Sequence, residues 1–133
     1  MKRFQFRLEK VLKIRERAEQ EAKIAYAEVL QRKNVFELDN QECQRIIEET
    51  NVEREAYLNE CQMPDFNIYA AFDANVRALL RRKELNNRAI TELQPLLEER
   101  ENILREAMKQ RKILEKLKES AESILQQLGI SPS

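Results

Sequence analysis

The stretch NECQMPDFN, residues 59–67, decides how this chain folds. It holds Pro64, one of only three prolines, in a sequence with a single glycine, Gly129. Proline disfavours helical backbone in the residue before it, here Met63, and either Asp65 or Asn67 can cap a new helix start. Everything on either side is built from Ala, Glu, Lys, Leu, Arg and Gln, all good helix formers. The stretch is therefore a turn between two long helices. Helix one is expected over about residues 3–60, the turn over 61–66 and helix two over 67–128, followed by a short ISPS tail. Gly129 is placed to take the left-handed conformation that closes a helix, with Pro132 just beyond.

Working outward from the turn, a seven-residue pattern runs along each arm. In the first it takes Leu8, Val11, Arg15, Ala18, Ala22, Ala25, Val29, Arg32, Phe36, Asp39, Cys43, Ile46, Thr50, Glu53 and Tyr57. In the second it begins at Tyr69, Phe72, Val76, Leu79, Lys83 and Asn86 and continues through Ile90, Leu93, Leu97, Arg100, Leu104, Ala107, Arg111, Leu114, Lys118, Ala121, Leu125 and Leu128. Arms of roughly 60 residues have lengths on the order of 90 Å, matched as a hairpin requires. The fold class expected is all-α, a long antiparallel two-helix coiled-coil hairpin. Pro95 cannot donate to the Thr91 carbonyl, yet the pattern stays in phase across it, so a kink and not a break is expected there. Charged seam residues such as Arg15, Arg32, Asp39, Lys83 and Arg100 either snorkel out of a narrow interface or set register by polar pairing.

Charge gives the hairpin a polarity. The total is zero, with 24 basic and 24 acidic side chains. The opening segment MKRFQFRLEKVLKIRER has seven Lys or Arg against two Glu, and residues 105–118 have six basic against two acidic. Residues 37–65 carry nine acidic and two basic side chains. An antiparallel hairpin thus has a basic open end and a more acidic bend. On a helical wheel, Phe4, Leu8, Val11, Leu12 and Ile14 form one stripe and Lys2, Arg3, Lys10, Lys13 and Arg17 the other side. Phe6 falls among the basic residues, either at a frayed terminus or as a contact residue.

Several chemistries lack their residues. Without histidine there is no imidazole base or imidazole metal ligand, and two distant cysteines make no zinc site. Cys43 and Cys61, if on one helix, lie about 27 Å apart and beyond disulfide reach. One glycine near the C-terminus cannot form a phosphate-cradling loop. Adjacent carboxylates such as Glu48 with Glu49 sit on a rod with no enclosing pocket to shift their pKa values. No enzyme activity and no cofactor are expected, and function is expected to be binding. No apolar run reaches the roughly 20 residues of a membrane span, and the N-terminus lacks a secretory signal, so a cytoplasmic location is expected. The apolar stripe continues into the seam and already has a partner helix, which argues against a membrane surface. Only one aromatic interleaves the basic face, which argues against nucleic acid. A protein partner is favoured.

The residues FQFRLEKVLKIRERAEQEAKIAYAEVL (4–30), with their Leu-x-x-Val-Leu-x-x-Arg-x-x motif, and a second arm opening NIYAAFDANVRAL (67–79), resemble the FliJ family of flagellar type III export proteins. The resemblance covers nearly the whole chain. It implies a stalk-like coiled coil whose open end enters the central hole of the hexameric flagellar export ATPase and promotes its assembly and activity. It also implies contact with the cytoplasmic domain of the export gate membrane protein and escort of export chaperones, in the cytoplasm at the inner membrane, with no nucleic acid and no membrane insertion. The ring-contact candidates are then Phe6, Arg7, Lys10, Lys13, Arg111 and Lys112. The gate-contact candidates are Tyr69, Phe72, Val76, Leu79 and Lys83. Of these, Phe72 matches the family's pattern and Val76 is conservative. Leu79 is larger than the usual Ala, and Lys83 replaces a His. Phe72, Val76 and Leu79 also lie on the seam, so core packing competes with gate contact; both hold if helix one stops early and leaves them partly uncovered. A generic parallel coiled-coil scaffold and a stalk from the related injectisome share much of this sequence physics.

Overall fold

The computed structural model describes residues 2–129; the expected ISPS tail, with Pro132, lies outside them. Two helices account for nearly all of this: α1, Lys2–Glu60, and α2, Phe66–Gln127, with no strand among the described residues. They pack against each other as an antiparallel hairpin.

The turn is held by a few side chains. Asp65 is the cap of α2, its Oδ1 accepting the Asn67 backbone N–H at 2.9 Å, and its carbonyl accepts the Tyr69 N–H at 3.2 Å to start the helix. The Asp65 N–H donates to the Tyr57 hydroxyl at 2.8 Å, and the Tyr57 ring lies 6.0 Å from that of Phe72. One tyrosine on the last turns of α1 thus fixes both the start and the first packing residue of α2. At the other end of α2, Gly129 has φ 72° and its N–H bonds the Gln126 carbonyl at 3.0 Å, a left-handed closure that a side chain would strain. Pro95 lies within α2, which is continuous on both sides of it.

The chain divides into two compact units. Unit one joins residues up to 29 to those from 96 onward, and unit two spans residues 30–95. In unit one the pairs Glu9–Lys118, Glu19–Arg111 and Glu28–Arg100 run in opposite senses along the two helices, which fixes the antiparallel arrangement. Its core is Leu8, Leu12, Ala22, Val29, Leu97, Ala121 and Leu125. In unit two, Cys43, Ile47 and Leu79 form the core with Ile46 and Val76 beside them. Two helices cover only one stripe of each other, so these cores are one residue deep.

The α2 seam matches the expected positions, from half-buried Phe72 to buried Leu125, with Tyr69 and Leu128 more exposed. On α1 one of the two seam rows differs. Of the row Leu8, Arg15, Ala22, Val29, Phe36, Cys43, Thr50 and Tyr57, all but the exposed Arg15 are buried or half-buried as expected. The second row is Leu12, Glu19, Tyr26, Lys33, Asn40, Ile47 and Arg54, one residue later than the expected Val11, Ala18, Ala25, Arg32, Asp39, Ile46 and Glu53. The physical reason is pairing. Glu19, 5% exposed, meets Arg111, and Asn40 meets Asn86 and Asn87, so polar residues take places that a count of apolar positions assigns to their neighbours.

Candidate interaction surfaces

In unit one, the heptad phase of the seam turns two rows of basic side chains outward. On α1, Phe6, Lys10, Lys13 and Arg17 follow one another by four, three and four residues and share a face. All are exposed, and Phe6 is 72% exposed. On α2, Arg105, Lys109, Lys112 and Lys116 repeat the same spacing, all exposed, along a shallow groove that also takes in Met108 and Ile113. Each row lies opposite its own helix's seam, so the two point away from each other. Arg7 is exposed at the edge of the α1 row.

Arg111 belongs elsewhere. It lies in the interface, where its Nε donates to the Glu19 carboxylate and its Nη1 lies 2.8 Å from Glu115. Lys23 stands 3.4 Å from the same Glu19. Burial pushes the Glu19 carboxyl pKa up, but Arg111 and Lys23 outweigh this and hold it below its ordinary value of 4.5. The structure therefore brings Phe6, Arg7, Lys10, Lys13 and Lys112 to the surface of unit one and holds Arg111, half-buried, in the interface between its helices. Arg105, Lys109 and Lys116 were missing from the sequence-based set. Their four, three, four spacing with Lys112, beside a seam that already held Arg111, is the signal that groups them.

The second candidate set lies in unit two on the inner side of α2. Tyr69 is 37% exposed, with the Arg54 guanidinium 5.8 Å above its ring. Phe72 is half-buried against Tyr57, and Val76 and Leu79 pack on Cys43 and Ile47. Lys83 donates to the Gln44 side-chain oxygen at 2.7 Å. α1 continues to Glu60 and covers the row, so the early stop that would have uncovered it does not occur. Tyr69 is the exposed member. Met63 and Phe66 at the bend are far more exposed, at 88% and 78%, and were not among the candidates.

Beside this row lies a polar cluster. Arg82 grips Asp39 with two N–H groups, Nε donating to Oδ2 at 2.8 Å; Asn86 donates to the same oxygen at 2.6 Å and to Asn40 at 3.0 Å; Asn40 donates to Asn87 at 2.8 Å. Arg82 first, then Asn86, hold the Asp39 carboxyl below its ordinary 3.8. Such a cluster fixes which residues of the two helices stand opposite one another.

No helix of the described residues is long and apolar enough to cross a membrane. No family model, curated protein or solved structure matches the chain.

Proposed function

We propose that this chain is a non-enzymatic stalk of a flagellar type III export apparatus, held through unit one by the hexameric export ATPase, whose assembly and activity it promotes. The observation that carries the proposal is the pair of outward basic rows, Phe6 to Arg17 on α1 and Arg105 to Lys116 on α2. A partner docking on one side would meet only one row. A ring that encloses the helix pair meets both, and acidic groups lining its hole would be attracted from every side. The resemblance of residues 4–30 to the FliJ family supports the same assignment. On this reading unit two, with 12 acidic and nine basic side chains, faces the cytoplasmic domain of the export gate and the export chaperones, with Tyr69 as its exposed aromatic. The protein would work in the cytoplasm, at the inner-membrane export site. An injectisome stalk uses the same physics, and the identity of the responding ATPase separates the two.

The test is ATP turnover by the flagellar export ATPase with and without this protein. Stimulation is expected, and it should fall at least about tenfold in apparent affinity, the equivalent of about 1.4 kcal/mol, when Lys10, Lys13 and Lys112 are all changed to Glu. Circular dichroism should show the helices unchanged, because all three side chains are exposed. An ATPase that does not respond to micromolar protein would overturn the assignment.

A further inference from the structure

The shift of the α1 seam leaves a second apolar row partly uncovered. Val11, Ala18 and Ala25 recur every seven residues along one flank of the α1 seam; Val11 is 39% exposed, Ala18 exposed and Ala25 half-buried. On α2 the flanking row is Leu96, Ile103, Gln110, Leu117 and Ile124; Ile103, Leu117 and Ile124 are 54%, 44% and 50% exposed, and half-buried Gln110 interrupts the aliphatic row, its side chain donating to Glu106 at 2.9 Å. Arg100 shows that the two rows border the same groove in unit one. From its place in the seam it donates to the Ala25 carbonyl at 2.6 Å and lies 3.5 Å from Glu28, while Leu96 and Ile103 are its neighbours one turn before and after. The α1 side is lined by alanines and the α2 side by large aliphatic side chains. Small residues on one wall allow a third helix to approach closely, and the large ones on the other supply the area it buries.

The rim of the groove selects the occupant. Glu21 and Glu28 stand outside the alanine row and Glu99 and Glu106 outside the aliphatic row, all four exposed. Arg100 is the cation of this stretch of the floor, and its contacts to Ala25 and Glu28 already engage it. Arg7 and Arg15 lie further toward the N-terminus of α1. A second copy of the chain would bring four more glutamates against these, so the rim disfavours self-association through this face. We infer that this groove is a docking site for an amphipathic helix of another protein, one whose apolar stripe is bordered by Lys or Arg. The site lies on a different face from the outward basic rows and does not rest on the ring assignment; a ring that encloses unit one would cover this groove too, so the helix would bind the chain outside the ring.

The experiment uses the full chain and two synthetic helical peptides of about 21 residues, six turns. Both carry Leu at seam spacing; one has Lys and the other Glu at the flanking positions. Calorimetry near physiological salt should show the Lys peptide binding at least about tenfold more tightly than the Glu peptide. Ile103→Asp should cost the Lys peptide about tenfold or more. Its side chain is largely exposed, so the helices should survive the change. The pair Glu21→Lys and Glu106→Lys, with the apolar rows intact, should shift the preference toward the Glu peptide. The inference is overturned if neither peptide binds, or if binding is indifferent to Ile103→Asp or to the charge reversal. It is also overturned if sedimentation shows a dimer of the chain that Ile103→Asp converts to monomer, since the face would then belong to a second copy.

Discussion

Residue by residue, the division of labour is between the few side chains that hold the helices together and the many that face outward. Leu125, 2% exposed, and Phe6, 72% exposed, are both large and apolar and both lie near the ends of unit one. Leu125→Ala should lower stability by about 2–5 kcal/mol, with the lower half of that range fitting a core one layer deep. Phe6→Ala should leave it within about 0.5 kcal/mol. Urea unfolding of the two variants checks this, and equal midpoints would refute the assigned seam. Pattern alone treats these residues nearly alike, since each is an apolar side chain in a helical stretch. Leu125 was legible because it continues a seven-residue row, and Phe6 because it interrupts a basic one. Arg111 lay on the expected seam and was also a ring-contact candidate; its place in the interface follows the seven-residue row, while its partner Glu19 lies 92 residues away and outside any local pattern.

At the scale of elements, both helices follow from composition and from the turn chemistry of Met63, Pro64 and Asp65. Tyr57 supplies what the turn sequence alone does not show, a hydroxyl that accepts the Asp65 N–H across eight residues. Pro95 is the local violation, since it removes one N–H from an otherwise continuous α2 and its ring crowds the Thr91 carbonyl. Pro95→Ala should restore that hydrogen bond and raise stability by up to about 3 kcal/mol. A melting temperature that stays the same or falls would mean that α2 gains nothing from a regular backbone there. The seam of α2 was legible because its two rows hold most of the apolar residues at their spacing, from Val76 and Leu79 to Ala121 and Leu125. That of α1 was not fully legible, because Val11, Ala18 and Ala25 compete with Leu12, Glu19 and Tyr26 for the same place, and the second set is the more polar.

For the whole molecule, the buried or bridged carboxylates couple folding to pH. Glu19 and Asp39 have folded pKa values below their ordinary 4.5 and 3.8. Their pairings therefore stabilise the fold fully above those ordinary values, and the contribution is lost as the pH falls through the lower, folded ones. The urea midpoint should drop between neutral pH and about pH 3, and Glu19→Gln should reduce that drop. An identical drop in the variant would show that the Glu19–Arg111 pairing adds nothing to the pH dependence. The two units differ in charge, unit one having 15 basic against 12 acidic side chains and unit two nine against 12. The sign of each unit's net charge was readable from sequence once a hairpin was assumed. Which faces carry the charge was not, because that depends on how each helix is turned about its own axis.

The amino-acid sequence by itself determined two helices, the turn between them and the basic character of one end, because propensity, a lone Pro-Asp turn and heptad spacing act locally along the chain. The tertiary structure decided which of the two candidate rows on α1 faces α2. That choice rests on partners far away in sequence, Arg111 for Glu19 and Asn86 for Asn40, whose hydrogen bonds repay the burial of polar groups. The same choice turned Val11 and Ala18 outward, kept Ala25 half-buried at the edge of the interface, and left the groove that a third helix can fill.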